Sequence, residues 1–144
     1  YLLLAVLLSY GATMGLITLI FQVWLGQEGI FFLIPIITFV LLIALGSDYN
    51  IFLMSRIREE SEKRGTRDGV RVAAIATGAV ILACGVVLAG TFASLSSSPI
   101  RFMLQFGVSV SIGVLIDTAI MQVFLLPAIA TKLGKWNWWP SRRD

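Results

Sequence analysis

Histidine is absent, and cysteine occurs once, as Cys84. The first absence removes histidine-based metal sites and the side chain that titrates nearest neutral pH. A single cysteine cannot close an internal disulfide, so it says little about redox compartment. Charge is scarce too: 13% of residues are Asp, Glu, Lys or Arg, against about 25% in a soluble domain. The sequence offers no nucleophile–base pair, metal-ligand cluster or phosphate-cradling loop. An enzyme reading therefore has no support, and neither a metal nor a cofactor is expected. Apolar residues fill the space instead, at 58% of 144. They gather in runs near the ~20 residues needed to cross a bilayer. The expected fold is all-α, a polytopic membrane helix bundle with four transmembrane helices and no soluble domain.

The spans are expected at about 1–24, 31–55, 72–93 and 102–130, with a linker at 56–71 and a tail at 131–144. The chain begins at Tyr1 inside an apolar run, without an initiator Met or a basic leader. We read it as a piece of a larger protein, whose first nineteen residues are span and not signal peptide. In the first span Gly11 and Gly15 form a small-residue pair that admits a neighbouring helix, and Trp24 closes it at interface depth. In the linker, Glu59 with Lys63 and Glu60 with Arg64 have the order that favours helical ion pairs. Gly65 is the expected helix stop and Thr66 the expected cap of the next helix. The linker reads as a solvated helix lying along the membrane surface. The third span carries small pairs at Ala74/Gly78, Ala79/Ala83 and Gly85/Ala89, which predicts a central helix packed on several faces. Pro127 should kink or loosen the end of the fourth span. The ending Lys132–Pro140 is basic, Trp-rich and interfacial.

Charge sets the orientation. Arg56, Arg58, Lys63, Arg64, Arg67 and Arg71 lie between spans two and three; Lys132, Lys135, Arg142 and Arg143 follow span four. Both groups fall on one side of a four-span chain, leaving Arg101 alone opposite. That side is expected to be cytoplasmic. The net charge of +3 is thus spent on topology, and no nucleic-acid partner is expected.

Two carboxylates lie inside spans, Asp48 and Asp117. Each is placed about fifteen to seventeen residues along an inward-running helix, roughly 22–26 Å deep. An acid at that depth costs about 2.5–3.5 kcal/mol on insertion scales and is a functional hypothesis by default. Away from water a carboxylate prefers its neutral form, so it can bind a proton from one side and release it to the other. Two acids at one level could line one polar cavity, which Thr77, Thr118 and Gln122 would extend. Tyr49 can donate to an ionised Asp48. The competing structural reading makes Asp48 interhelical polar glue. For Asp117 it lets Thr118 satisfy the acid, with Gln122 more than one turn below. Thr77 and Thr91 would bond back to their own helix.

The stretch Gly46-Ser47-Asp48-Tyr49-Asn50-Ile51-Phe52-Leu53-Met54-Ser55-Arg56-Ile57-Arg58-Glu59-Glu60 resembles the signature of the MMPL family of the resistance-nodulation-division (RND) superfamily. Thr77-Gly78, Leu88-Ala89-Gly90-Thr91-Phe92, Asp117-Thr118, Leu126-Pro127-Ala128 and Trp136-Asn137-Trp138-Trp139-Pro140 extend the likeness in order to the end of the chain. The resemblance implies helices nine to twelve of twelve, in the C-terminal half of a bacterial inner-membrane exporter. Protons would be its coupling ion, and lipids or other hydrophobic compounds its substrates. Asp48 and Tyr49 carry over the family's proton-relay pair, which faces a matching pair in the other half. The remaining half, the porter domains and membrane lipids are the implied partners. Related last helices often carry Arg where Gln122 stands, so an ion pair to Asp117 is not expected here. The alternative is a sterol-sensing-like or lipid-binding bundle of the same architecture that does not transport.

Overall fold

A computed structural model describes residues 2–133 of the chain. Tyr1 and the Trp-rich ending from residue 134 onward lie outside the described residues. Among the described residues every regular element is helical, and four helices are long and apolar enough to cross a membrane. Helix α1 (Leu2–Thr18) continues as a π-helical turn, Leu19–Trp24. Helix α2 covers Leu33–Arg64 and α3 covers Thr66–Ala93, followed by a 3₁₀ turn at Ser94–Ser97. Helix α4 (Arg101–Ile116) runs without a break into a π-helical segment, Asp117–Leu125, and then into α5 (Leu126–Leu133).

The expected surface linker is not a separate element. Its residues complete α2 and begin α3, and the turn between them is Gly65 alone, at φ +84°. The ion pairs explain the continuation. Arg56 pairs with Glu59 and Glu60, Arg58 with Glu62, Lys63 with Glu59, and Arg64 with Glu60, all within one or two turns of the helix. At 32 residues and ~1.5 Å per residue, α2 outruns a ~30 Å hydrocarbon layer, so its charged end stands clear of the lipid. Gly65 occupies the cap position of α3 and no side chain caps it, so the capping role expected of Thr66 is not taken up. The hairpin is tight: a Cβ at Gly69 would collide with the Ser61 backbone.

The opposite end is held differently, by amides. Buried Gln105 donates to Gln27 Oε1 (2.6 Å) and to Gly29 O (3.0 Å), and accepts from Phe31 N–H (2.9 Å). Arg101 adds a bond to Gly29 O at 2.9 Å. These bonds fix the α1–α2 connection onto the start of α4.

Helix α3 packs along one face, not on several. Its buried line is Ala73, Thr77, Gly78, Ile81, Gly85 and Ala89, while Ala79, Ala83, Val80, Val86 and Val87 are exposed. Only the small residues on the buried line are used for close approach: a Cβ at Gly85 would enter Thr118. Likewise Gly11 and Gly15 on α1 meet nothing within 4 Å. Small residues permit a helix contact in lipid without requiring one.

The core has two apolar clusters. Toward the α2–α3 hairpin, Ala5, Leu53, Ile57, Val70, Ala73, Ile81, Leu126 and Ala130 pack together. Toward the other end, Leu42, Val110 and Val114 pack with Tyr10, Leu45, Leu88, Phe92 and Phe106 around them. Between the clusters lies a polar layer, and there the candidate site is found.

Candidate functional site

Asp117 opens the π-helical segment and is buried, with 3% of its surface exposed. The helical register supplies its partner. A π turn brings residue i+5 over residue i, and Gln122 Nε2 donates to Asp117 Oδ2 at 3.0 Å. On an α-helix Gln122 would fall beyond the reach expected of it. The segment ends just before Pro127, which has no N–H to continue the ladder. The loosening expected of Pro127 thus lies upstream of it, in the π segment.

Other helices close the layer. Gly46 of α2 faces Asp117, and a Cβ built there would lie 3.2 Å from both Asp117 Oδ2 and Val6 Cγ2. Ser9 of α1 lies alongside the same carboxyl. Asn50, one turn from Gly46 on the same face of α2, is buried. Its Oδ1 and the Oε1 of Gln122 are buried without a hydrogen-bond donor. Ser9 Oγ is likewise buried without a partner among the described residues, so unpaired oxygens from α1, α2 and the π segment gather around Asp117.

Asp48 is elsewhere on the helix. The Gly46–Asp117 contact puts the two acids at one level, but two residues turn an α-helix by about 200°. Gly46 points inward and Asp48 is exposed on the outer surface of the bundle. Among the described residues Asp48 has no hydrogen bond and no ion pair. The two carboxylates do not share one cavity within these four helices, contrary to the expectation from depth alone.

Tyr49 follows Asp48 on α2. It is partly buried against the apolar cluster of Leu53, Ile81 and their neighbours. Its hydroxyl is within electrostatic reach of Cys84, Asp117 and Asp48, and no hydrogen bond joins it to either acid. Thr77 and Thr118 are buried, yet each hydroxyl donates to its own helix, to Ala73 O and Val114 O at 2.7 Å. Neither is bonded to Asp117; the satisfying role suggested for Thr118 falls to Gln122. Ser9 escaped notice in the sequence. Its signal was the spacing of Ser9 and Thr13, two small hydroxyls one turn apart on one face of α1, both buried.

Similarity to known proteins covers the chain from end to end. The sequence pattern of the MMPL family matches residues 1–144. A Streptomyces coelicolor protein described as a membrane protein, SCO0839, is 47% identical over 95% of this chain and 19% of its own length. The apo-petrobactin exporter of Bacillus anthracis is 42% identical over 99% of the chain and 19% of its own length. The acyltrehalose exporter MmpL10 of Mycobacterium tuberculosis is 41% identical over 98% of the chain and 14% of its own length. The chain thus spans less than a fifth of the length of these relatives.

Proposed function

The chain belongs to the MMPL family, and we propose that it forms part of a proton-driven exporter of lipids or other hydrophobic compounds in a bacterial inner membrane. In this reading Asp48 and Tyr49 are proton-relay residues. The charged α2–α3 hairpin and the C-terminus face the cytoplasm. The remaining half and the porter domains belong to the same protein.

The observation that carries the reading is the outward face of Asp48. An unpaired carboxylate at mid-depth is not left against hydrocarbon, where its charge would cost several kcal/mol. In the whole protein that face meets protein or water. An acid at such a boundary can accept a proton from the outer side as its environment opens there. It then releases the proton to the cytoplasmic side when the packing changes. A charge crossing the full potential releases about 2.3 kcal/mol per 100 mV. Tyr49, next to Asp48 in the chain and within electrostatic reach of Asp117, offers a hydroxyl to that relay. The named exporters among the relatives support the transport class.

The test is Asp48→Asn in the full-length protein, with export measured in vesicles under an imposed pH gradient. Export should fall to the level of protein-free vesicles. Wild-type export would overturn the relay. A bundle that binds lipid without transporting would instead keep its lipid binding and show no dependence on the gradient.

A further inference from the structure

The basic residues of the hairpin end fall into two sets. Arg56, Arg58, Lys63 and Arg64 are all engaged by Glu59, Glu60 and Glu62. Arg67 and Arg71 have no ion pair or hydrogen bond among the described residues. They stand one turn apart on α3, so they present two guanidinium groups to one place. That place is an open groove of about 850 Å³ between the start of α3 and α5. Its walls change character along its length. Arg67, Asp68, Arg71 and Thr131 line the polar mouth; Val70, Ala74, Ile75, Pro127 and Ala128 line the apolar remainder. The Thr131 hydroxyl already donates to Pro127 O at 2.8 Å. Among the described residues that line the groove Asp68 is the one carboxylate, and it sits in the first turn of α3, where the helix dipole favours it.

From this pairing of free cations with an apolar floor we infer that the groove binds an anionic phospholipid, phosphate at Arg67 and Arg71, acyl chain along Ile75 and Pro127. Charge complementarity selects the headgroup. A guanidinium pair matches phosphate oxygens in a fixed fork geometry. The two cations outnumber Asp68, so a net negative headgroup is held better than a zwitterion. The apolar floor selects a lipid over a free anion. Basic pockets between membrane helices at the cytoplasmic surface have the chemistry for such headgroups. The inference rests on the proposed orientation only for the leaflet that supplies the lipid.

The experiment uses the full-length protein in phosphatidylcholine vesicles containing a small fraction of phosphatidylglycerol with a photoreactive acyl chain. Wild-type protein should be labelled on α3 and α5. Replacing both cations, Arg67→Gln with Arg71→Gln, should cut labelling about tenfold or more. Arg58→Gln, at the same end but outside the groove, should leave it unchanged. Ile75→Trp keeps every charge and fills the floor, and should also abolish labelling; Ile75 is 69% exposed, so the bundle tolerates the change. Equal labelling by a photoreactive phosphatidylcholine would overturn the proposal, as would wild-type labelling of the double variant or an equal loss in Arg58→Gln. Displacement by inorganic phosphate would do so too, showing a free-anion site. Orientation is read separately, by labelling Lys63→Cys in a cysteine-free background of the full-length protein with an impermeant reagent, so a wrong orientation and an empty groove give different results.

Discussion

Asp48 and Asp117 are the same chemical group at the same level of the bundle, on helices that run in the same direction. Their surroundings are opposite. Asp117 is enclosed by α1, α2 and its own π turn, and it has a hydrogen-bond partner within the chain. Asp48 is exposed and has none among the described residues. Depth therefore does not decide what an intramembrane acid can do. Angular position decides it, and about 200° of helix separates a self-contained polar layer from a face that needs something more.

The largest expected effects separate the two acids by function and stability. Asp48→Asn should remove proton-coupled export; it breaks no contact within these four helices, so it should cost less stability than a substitution in the buried layer. Gln122→Leu should do the reverse in kind. It leaves a buried carboxyl without its donor, at a cost of about 1–3 kcal/mol. Adding Asp117→Leu to Gln122→Leu should recover most of that stability, because removing both partners is far cheaper than removing one. Denaturation of the three variants side by side decides the matter. If Asp48→Asn destabilises as much as Gln122→Leu, the contrast between the two acids is wrong.

The bundle was legible in the sequence to the extent that hydropathy and counting can take it. Four apolar runs gave four helices, and residue counts placed Asp48 and Asp117 at one level. The facing of those residues was not legible. A membrane helix is apolar on the side that meets lipid as well as on the side that meets its neighbours. Leu7 and Leu8 on α1 or Val86 and Val87 on α3 are exposed, yet look no different in sequence from core residues. Hence Gly11/Gly15 on α1 and Ala79/Ala83 on α3 read as contacts that the described helices do not make, whereas Gly85/Ala89 is a contact that they do. The Asp117–Gln122 bond was hidden for another reason. It depends on a π register, and a search at helical spacings of three and four passes over i+5. The linker was misjudged because its exposed ion pairs were read as a separate surface helix, when they extend α2 as one rod.

A smaller effect tests how closely the layer is packed. In Gly46→Ala the new methyl stands 3.2 Å from Asp117 Oδ2 and from Val6 Cγ2, so both neighbours must yield slightly. A cost of about 1 kcal/mol is expected from such overpacking. In an Asp117→Ala background much of that cost should vanish, because one of the two neighbours has withdrawn. A coupling of about 0.5 kcal/mol or more in the double-mutant cycle would place α2 against Asp117 in the whole protein. Strict additivity would deny the contact.

The smallest effect concerns a residue that depth alone would have put in the site. Thr77 is buried at 5% exposure, on the line of α3 that faces α2 and α4. Its hydroxyl is nevertheless committed to Ala73 O on its own helix, a bond that replaces water and supports no other residue. Thr77→Val keeps the shape and β-branching and removes only that local bond. Ala73 O retains its backbone donor from the helix ladder, so no buried group is stranded. Stability should fall by no more than about 1 kcal/mol, and export should remain near wild type. A large loss of export with intact stability would show that the hydroxyl turns toward Asp117 during the cycle. In that case the polar layer would reach α3 as well, and the separation between a self-satisfied interior acid and an exposed one would have to be redrawn around a third helix.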